Sequence, residues 1–511
     1  MWYEVDIDLG ADGTYSHVLA DVTAFVISLD WSAGFSSPDE LVAPPSSCRV
    51  VLDNRNGEFL LEKVGAAYRG LLRRELLVRV RASKLTITGE HPTDYHQLWV
   101  GYVTMIQPQI GESGMPVTVL DCQDLMLRLL DASYTPVLAL NKRTDEALTM
   151  LMDAGIIHYP YTGYFWVLDV GALGTGTRLP SSPPTDFEVG GTTLAFVGDV
   201  QGASRGNNAQ WFARDIMQSE CGGRFFWDAR AGEFAMHNRY HDAGNRTALV
   251  SLSLETVEGY QAAYGDMLAT TAEVSYTPRT VGTPDTVLWA AADLPITIEP
   301  NKERSFRVSY EVGGKRAALY GSGRVSYSGT GVDRLFISFD ASAREATLKL
   351  TNGGSSTVSV SALSVLGTPL IIDATEVAVY ADAERTADYG RVVYAFDAGG
   401  VNDGKFADDM ARHLVQVRND VLPRISSVSL PIKEDEWYGY DVLSLTIGDT
   451  ISIVDSYSSH NGRYSIIGEQ HSVNDAGHML TLYLASSTML VLWTLDDTTY
   501  SKLGETSALA L

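Results

Sequence analysis

From residue 1 to about 132 the chain is a succession of short apolar runs: WYEVDIDL, HVLADVTAFVISLDW, CRVVLD, ELLVRVRA, LTITG, HQLWVGYVTMIQPQI and PVTVLDC. Gly, Pro, Asn and Asp separate them at regular spacing. Their β-branched content and turn punctuation read as the strands of a barrel or sandwich. One stretch shows the pattern most sharply. Cys48 to Leu52 is apolar and β-branched, and Asp53-Asn54-Arg55-Asn56-Gly57 is rich in residues that tolerate left-handed backbone. Glu75 to Ala82 then alternates apolar and charged side chains at period two. Such alternation sets one face of a sheet in water and the other on a core. The stretch reads as a β-hairpin with a long insert. Asp121 to Ala132, apolar at Leu125, Leu129 and Leu130, reads as a short closing helix.

The pattern then changes. Residues 133–262 read as an α+β domain. Thr144 stands as N-cap of RTDEALTMLMDAGI, with Leu148, Leu151 and Met152 on one face and Gly155 as its stop. A Gly/Pro/Thr/Ser-rich passage from Gly171 to Gly191 reads as loop. Asn207 or Asn208 caps a second helix, AQWFARDIMQSECGG, with Trp211, Phe212, Ile216 and Met217 apolar, and RFFWDARAGEFAMHNR follows as a hairpin turning at Ala231-Gly232. Residues 263–373 show alternating strands and turn glycines consistent with a β-sandwich.

Residues 374–511 open with a strand and a linker. Asn402 or Asp403 then caps GKFADDMARHLVQVRND, whose Phe406, Met410, Leu414 and Val417 recur at helical spacing. SSVSLPI, LSLTIGDTISIVD, RYSIIGEQHSV and HMLTLYLAS read as strands. The expected class is mainly β with minor α and multidomain: barrel-like β domains at the two chain ends, 1–132 and 374–511, enclose the α+β domain and the sandwich. No internal repeat of fixed period is visible.

Charge bounds the partners. Lys+Arg number 38 against 63 Asp+Glu, a formal charge of −25, which opposes tight sequence-independent grip on phosphate backbones. Cys48, Cys122 and Cys221 lie far apart with no CxxC spacing, so neither a disulfide framework nor a thiolate zinc site is indicated, and each reads as a small buried side chain. The start MWYEVDIDLG is acidic and lacks a basic region before an apolar core, so it reads as no secretory signal and places synthesis in a cytoplasm. The longest apolar run, Met489 to Leu495, is too short to span a membrane.

Chemistry-bearing patterns are few. Gly202-Ala-Ser-Arg-Gly206 matches G-x-S-x-G, and Asp228, His237 and His241 follow in triad order. The next helix, however, starts only at Asn207 or Asn208, whereas an elbow serine sits at the helix entrance, so Ser204 reads as part of a loop. On an unbroken strand His237 and His241 would lie about 13 Å apart on one face, too far to share a metal ion. His91 and His96 frame a polar loop. Asp408/Asp409, Glu434/Asp435/Glu436 and Asp496/Asp497 sit at helix starts or turns, where acids complement the helix dipole or face water. Trp211, Phe225, Phe226 and Trp227 resemble a sugar-stacking platform, with core packing the plainer use. Neither a P-loop nor a dinucleotide fingerprint is present. No catalytic, cofactor-binding or metal-binding residue is assigned.

Taken in order, several phrases carry a family likeness. DWSAGFSSPDEL, VVLDNRNGEF, GLLRRELLVRVRA and LWVGYVTMIQPQ are followed by helix, double glycine and aromatic hairpin, with Gly70-Leu71-Leu72 standing where the family has a proline step. V-x-Y-x-P-R, V-L-W, I-x-P-x-x-x-R-x-F and L-x-V-x-G-T-P-L come next, then L-x-I-G-D-T-I-x-I and G-x-Y-x-I-x-G-E-x-H, and SKLGETSALAL as a terminal tag. In this order they resemble the tail-tip or baseplate hub proteins of tailed phages. The resemblance implies a structural virion protein and no enzyme. It implies a homotrimer whose two ring domains per subunit cap the tail tube, adapt its sixfold symmetry to a threefold tip and form part of the DNA exit channel. The implied partners are tail tube or distal tail ring proteins, tip or fibre proteins and the tape measure protein. DNA would pass without specific binding, repelled by an acidic wall over about 8 Å at physiological salt. The implied location is the virion tail, assembled in the host cytoplasm. Two other functions stand beside this one: receptor or glycan binding by the 263–373 sandwich, and hydrolysis by Ser204 or an acid pair.

Overall fold

The computed structural model describes residues 2–83, 95–111, 114–132, 139–153, 185–190, 192–197, 208–239, 241, 247–265, 267–418, 423–432, 437–455 and 460–486. They are mostly β, in several sheets with few helices.

The N-terminal strands are β1 (Trp2–Ile7), β2 (Val26–Gly34), β3 (Ser47–Asp53), β4 (Leu77–Ser83), β5 (His96–Ile110) and β6 (Pro116–Gln123). Their spatial order is β1-β4-β5-β6-β3-β2. The Cys48 to Ala82 stretch is therefore not a hairpin. β3 lies between β2 and β6, while β4 lies between β1 and β5. A connection as long as Asn54 to Leu76 does not hold its flanking strands together as a tight turn does, so each took another neighbour. The turn chemistry itself is as expected. Gly57 has φ +71°, and the buried Asn54 donates to Thr118 Oγ1 (2.9 Å) and accepts from the Phe59 amide (3.1 Å), pinning the turn to β6. The closing helix α1 spans only Met126–Asp131. Asp121 to Gln123 pair with β3 instead, and the buried Asp124 ends the strand by accepting from the amides of Met126 (2.8 Å) and Ser46 (2.9 Å). Burial pushes the Asp124 carboxyl up to about 7.

The α+β part holds β7 (Ala139–Arg143), α2 (Thr144–Asp153), β8 (Thr185–Phe187), β9 (Thr193–Val197), α3 (Ala209–Glu220), β10 (Arg224–Asp228) and β11 (Glu233–His237). Asn208 caps α3, its side chain accepting from the Trp211 amide at 2.9 Å, and α3 ends at Cys221 (φ +52°) with Gly222 beyond. Thr144 does not cap α2. Its hydroxyl donates to buried Glu220 at 2.6 Å, which ties α2 to α3. Thr185–Phe187, within the passage read as loop, adds to β11 as a parallel strand too short to show a period. Phe225, Phe226 and Trp227 are buried and Trp211 is half-buried, so these rings are core and no stacking platform.

β12 (Val250–Ser253) and β13 (Gly259–Tyr264) lead to β14 (Thr271–Tyr276). The sandwich comes next: β15 (Arg279–Val281), β16 (Thr286–Ala290), β17 (Ile296–Ile298), β18 (Glu303–Ser309), β19 (Glu311–Val312), β20 (Lys315–Thr330), β21 (Leu335–Ala341), β22 (Glu345–Asn352) and β23 (Val358–Ile372). Strands β15, β16, β17, β19 and β20 build one sheet on β23, β18-β22-β21 form the other, and Val308, Leu348, Leu350, Val358, Val360 and Val365 fill the space between. After it come β24 (Glu376–Ala381), α4 (Ala383–Tyr389), β25 (Val393–Asp397) and α5 (Gly404–Arg418). β14 pairs with both β24 and β25, so the sandwich is inserted within a three-stranded layer covered by α5 through Met410, Ala411 and Leu414. The segment read as a linker is α4 and β25. Asp382 caps α4 and Gly390 (φ +78°) stops it, but the helix is too short for periodicity to reveal. At α5 the cap is Asp403, accepting from the Lys405 amide at 2.9 Å, while Asn402 accepts from the Arg279 amide.

The chain closes with β26 (Pro423–Ile432), α6 (Trp437–Ser444), β27 (Thr450–Asp455), β28 (His460–Asn474) and β29 (Gly477–Ser486). LSLTIGDTISIVD is a strand only from Thr450; Leu443 and Ser444 finish α6, and Asp449 closes a turn by accepting from the Thr446 amide at 2.7 Å. β12 pairs with β27 and β13 with β26, while β28 pairs with β2. The two ends of the chain thus share one twelve-stranded sheet.

Candidate functional site: the seam between the chain ends

β2 and β28 meet antiparallel, and the residues that meet are two phrases singled out separately in the sequence. Asp30-Trp31-Ser32-Ala33-Gly34 faces Ser472-His471-Gln470-Glu469-Gly468, residue for residue. The join ends on a glycine pair. Gly34 has φ +81°, and a Cβ there would come within 2.5 Å of Ile447 Cδ1 and the Ile467 carbonyl. A Cβ on Gly468 would collide with the Phe35 backbone. Only glycine lets these backbones approach so closely. Beyond the pair the Phe35 amide donates to the Ile467 carbonyl at 2.8 Å. A small core of Phe35, Ala43, Phe226, Ala235, Ile447, Ile467 and Ala485 then gathers the N-terminal, α+β and C-terminal parts.

Polar groups are buried inside this join. The Trp31 and His471 rings stack at 4.2 Å, inclined by 9°. Tyr3 Oη lies 2.5 Å from His478 Nδ1, His478 Nε2 lies 2.9 Å from His471 Nδ1, and His471 Nε2 lies 3.3 Å from Glu469 Oε2. One proton arrangement satisfies the chain: Tyr3 donates to His478, His478 donates to His471, and His471 turns its N–H toward the carboxylate. That last contact is poorly aligned and acts as an electrostatic one. Arg230, from the turn between β10 and β11, completes the chain by donating to Glu469 Oε2 at 2.6 Å and to the Leu443 carbonyl. Glu469, His471 and His478 are 3%, 1% and 6% exposed, so water supplies little of their solvation.

Their ionisation follows from that burial. Desolvation alone would raise Glu469, but the permanent charge of Arg230 overrides it and holds the carboxyl down at about 2. Burial lowers His471, and burial together with His471 lowers His478 to about 2, so both rings are neutral near pH 7. Burial raises the Tyr3 hydroxyl. The array therefore carries one compensated ion pair and a run of neutral donors and acceptors. It holds strands together and exposes no reactive atom to a substrate.

His237 and His241 correct the sequence expectation. The chain leaves β11 at His237 and folds back, so the rings stack at 3.6 Å and 4°. His241 Nδ1 is 2.7 Å from Glu188 Oε1 and its Nε2 is 3.2 Å from the Gly448 carbonyl. Both ring nitrogens are engaged by these oxygens, and neither is left for a metal. Burial, then the His241 charge, drives His237 down to about 3. Gly448 (φ +95°) fits against this pair because a Cβ there would strike both rings. Asp228 accepts from the Arg230 and Ala231 amides in the hairpin turn, so it orients no histidine.

Ser204, His91, Glu434 to Glu436 and Asp496/Asp497 lie outside the described residues. His96 opens β5 opposite Ala82. Asp408 is exposed and Asp409 half-buried on α5. Among the described residues no three His, Cys, Asp or Glu gather as metal ligands, and no helix is long and apolar enough to cross a membrane. Sequence reasoning missed the seam. The available signal was G-E-Q-H itself, a Glu and a His two apart and so on one face of a strand.

No family model matches the chain, and no curated protein matches it. Solved structures similar to it include the prophage MuSo2 43 kDa tail protein from Shewanella oneidensis (12% identity, TM-score 0.47, covering 95% of this chain and 98% of that one). The tail protein from Neisseria meningitidis MC58 is similar at 10% identity and TM-score 0.46, covering 95% and 96%. The prophage tail protein gp18 from Listeria monocytogenes EGD-e is similar at 9% identity and TM-score 0.38, covering 95% of each chain. All three are described as tail proteins.

Proposed function

We propose that this chain is a structural subunit of a phage-type tail, acting as the hub of a tail tip or baseplate. The observation that carries the reading is the β2–β28 seam. A ring with six quasi-equivalent positions made from three chains needs two β units per chain held side by side in fixed register. In this reading residues 1–132 and 374–511 are those units; the glycine pair keeps them from rotating against each other, and the buried Glu469–Arg230 contact ties the α+β part to the second of them. Three copies would cap a sixfold tube and taper it to threefold symmetry. The net charge of −25 suits a channel wall past which DNA slides without adhering. The work done is positional, and no bond is made or broken.

Sedimentation velocity and negative-stain microscopy on the purified chain test this. The expected result is a trimer whose projections show a ring with six lobes. A strict monomer at high concentration, or an oligomer without threefold symmetry, overturns it.

A further inference from the structure

The long connection between β3 and β4 carries charge of the sign opposite to the chain as a whole. Lys63 to Arg74, KVGAAYRGLLRR, holds four basic residues and no acid, in a chain with 38 Lys and Arg against 63 Asp and Glu. Arg69, Arg73 and Arg74 are exposed, and among the described residues none of the three side chains makes an ion pair or hydrogen bond. Lys63 donates to the Asn56 carbonyl, and Val64 beside it is 81% exposed. Of the flanking acids, Glu75 pairs with Arg128 and Glu58 accepts from the Ala67 amide at 3.3 Å, which leaves Glu62.

The backbone beneath these arginines is fixed. Tyr68 and Leu72 are each 2% exposed. Tyr68 stacks on Phe59 at 4.4 Å and donates to the Leu19 carbonyl at 3.3 Å. The Leu71 and Leu72 amides both return to the Tyr68 carbonyl, at 3.1 and 3.0 Å, and close a turn. With Tyr68 and Leu72 anchored in the core, Arg69, Arg73 and Arg74 are left in solvent. A loop held in this way presents its charges with little further ordering to undergo on contact.

Charge and symmetry select what fits there. A twofold contact centred on this stretch would set the arginines against themselves, and like charges face to face are repelled. A head-to-tail contact sets them against a different surface of the next chain, and a formal charge of −25 supplies that surface with carboxylates. Head-to-tail contacts close into rings when the rotation allows. We propose that Arg69, Arg73 and Arg74 form a docking surface for a carboxylate-bearing face of a second copy of this chain, joined head to tail, with Val64 as its apolar contact. The inference rests on the trimeric reading above and names the surface through which the copies meet.

Sedimentation equilibrium of the full chain at about 50 mM and about 500 mM salt tests it. Arg73→Glu/Arg74→Glu is compared with Arg304→Glu/Arg316→Glu, which changes the net charge equally at exposed positions of the sandwich. The dissociation constant of the trimer should rise about tenfold or more with the first pair and with added salt, and much less with the second pair. Circular dichroism melts check that both variants fold. Equal weakening by the two pairs, or none by the first, overturns the docking surface and leaves the trimer standing. A wild-type chain that stays monomeric fails the tail reading itself, and this inference with it. Unchanged self-association of the Arg73→Glu/Arg74→Glu variant, together with lost retention of duplex DNA, overturns the second copy as occupant.

Discussion

Acidification should loosen the seam through His478, and replacing that residue with glutamine should remove a defined part of the loosening. His478 is 6% exposed, with Tyr3, His471 and, beyond it, the Glu469–Arg230 pair around it. In the closed seam it titrates at about 2; released to water it would return to about 6.5. The closed state thus binds the proton less readily than the open state. The stabilisation is fully present above pH 6.5 and is lost as pH falls from there toward 2. Between pH 8 and pH 5.5, a window above the isoelectric point of 4.7, the loss is about 1.4 kcal/mol, or roughly tenfold in the opening equilibrium. Glutamine keeps a donor and an acceptor for Tyr3 and His471 but does not titrate. Amide hydrogen exchange of β2 and β28, normalised to intrinsic rates, is the assay. The wild-type protection factors should fall about tenfold more over this window than those of His478→Gln. Asp124, which gains stability as pH falls, and the other titrating groups cancel in that comparison. Equal pH dependence in the two proteins would refute the claim that the seam keeps His478 neutral.

Three further outcomes follow from the same contacts. Gly34→Val puts a branched side chain at φ +81° against Ile447 and the Ile467 carbonyl; it should cost about 2–4 kcal/mol and appear as proteolytic nicking near β2, and an unchanged digestion pattern would dismiss the close-approach argument. Arg230→Met leaves Glu469 charged and buried, a loss of about 3–5 kcal/mol in denaturant unfolding, and Arg230→Met/Glu469→Leu should recover most of it; a double variant no better than the single one would show that charge is not the cause. Cys48, Cys122 and Cys221 are buried with their thiols raised by burial, Cys221 to about 11, so Ellman's reagent should react with none until the chain is denatured.

Where the controlling interaction is local, residues and structure agree. Asn208 caps α3 because an amide oxygen two or three residues ahead of free N–H groups needs no distant partner, and Asp403 serves α5 likewise. Gly232 turns the β10–β11 hairpin for an equally local reason. Short or context-bound elements escaped. α4, α6 and β8 are too brief for a period, and Thr144 looks like a cap yet spends its hydroxyl on Glu220. The reading of His237 and His241 failed because it extended β11 past its last residue.

By itself the amino-acid order determined where most of the longer strands run, which face of each is apolar, and the caps around Asn208 and Asp403, because period-two alternation and capping are set within a few residues. Only the folded chain decided which strands are neighbours. Period-two alternation tells a strand which face to bury but says nothing about which edge to bond, and every strand offers the same backbone donors and acceptors. So β3 and β4 parted, the sandwich became an insertion between β14 and β24, and Trp31 came to rest on His471 from the far end of the chain. Buried ionisable groups made that last choice specific: Glu469 is tolerable inside only where Arg230 reaches it.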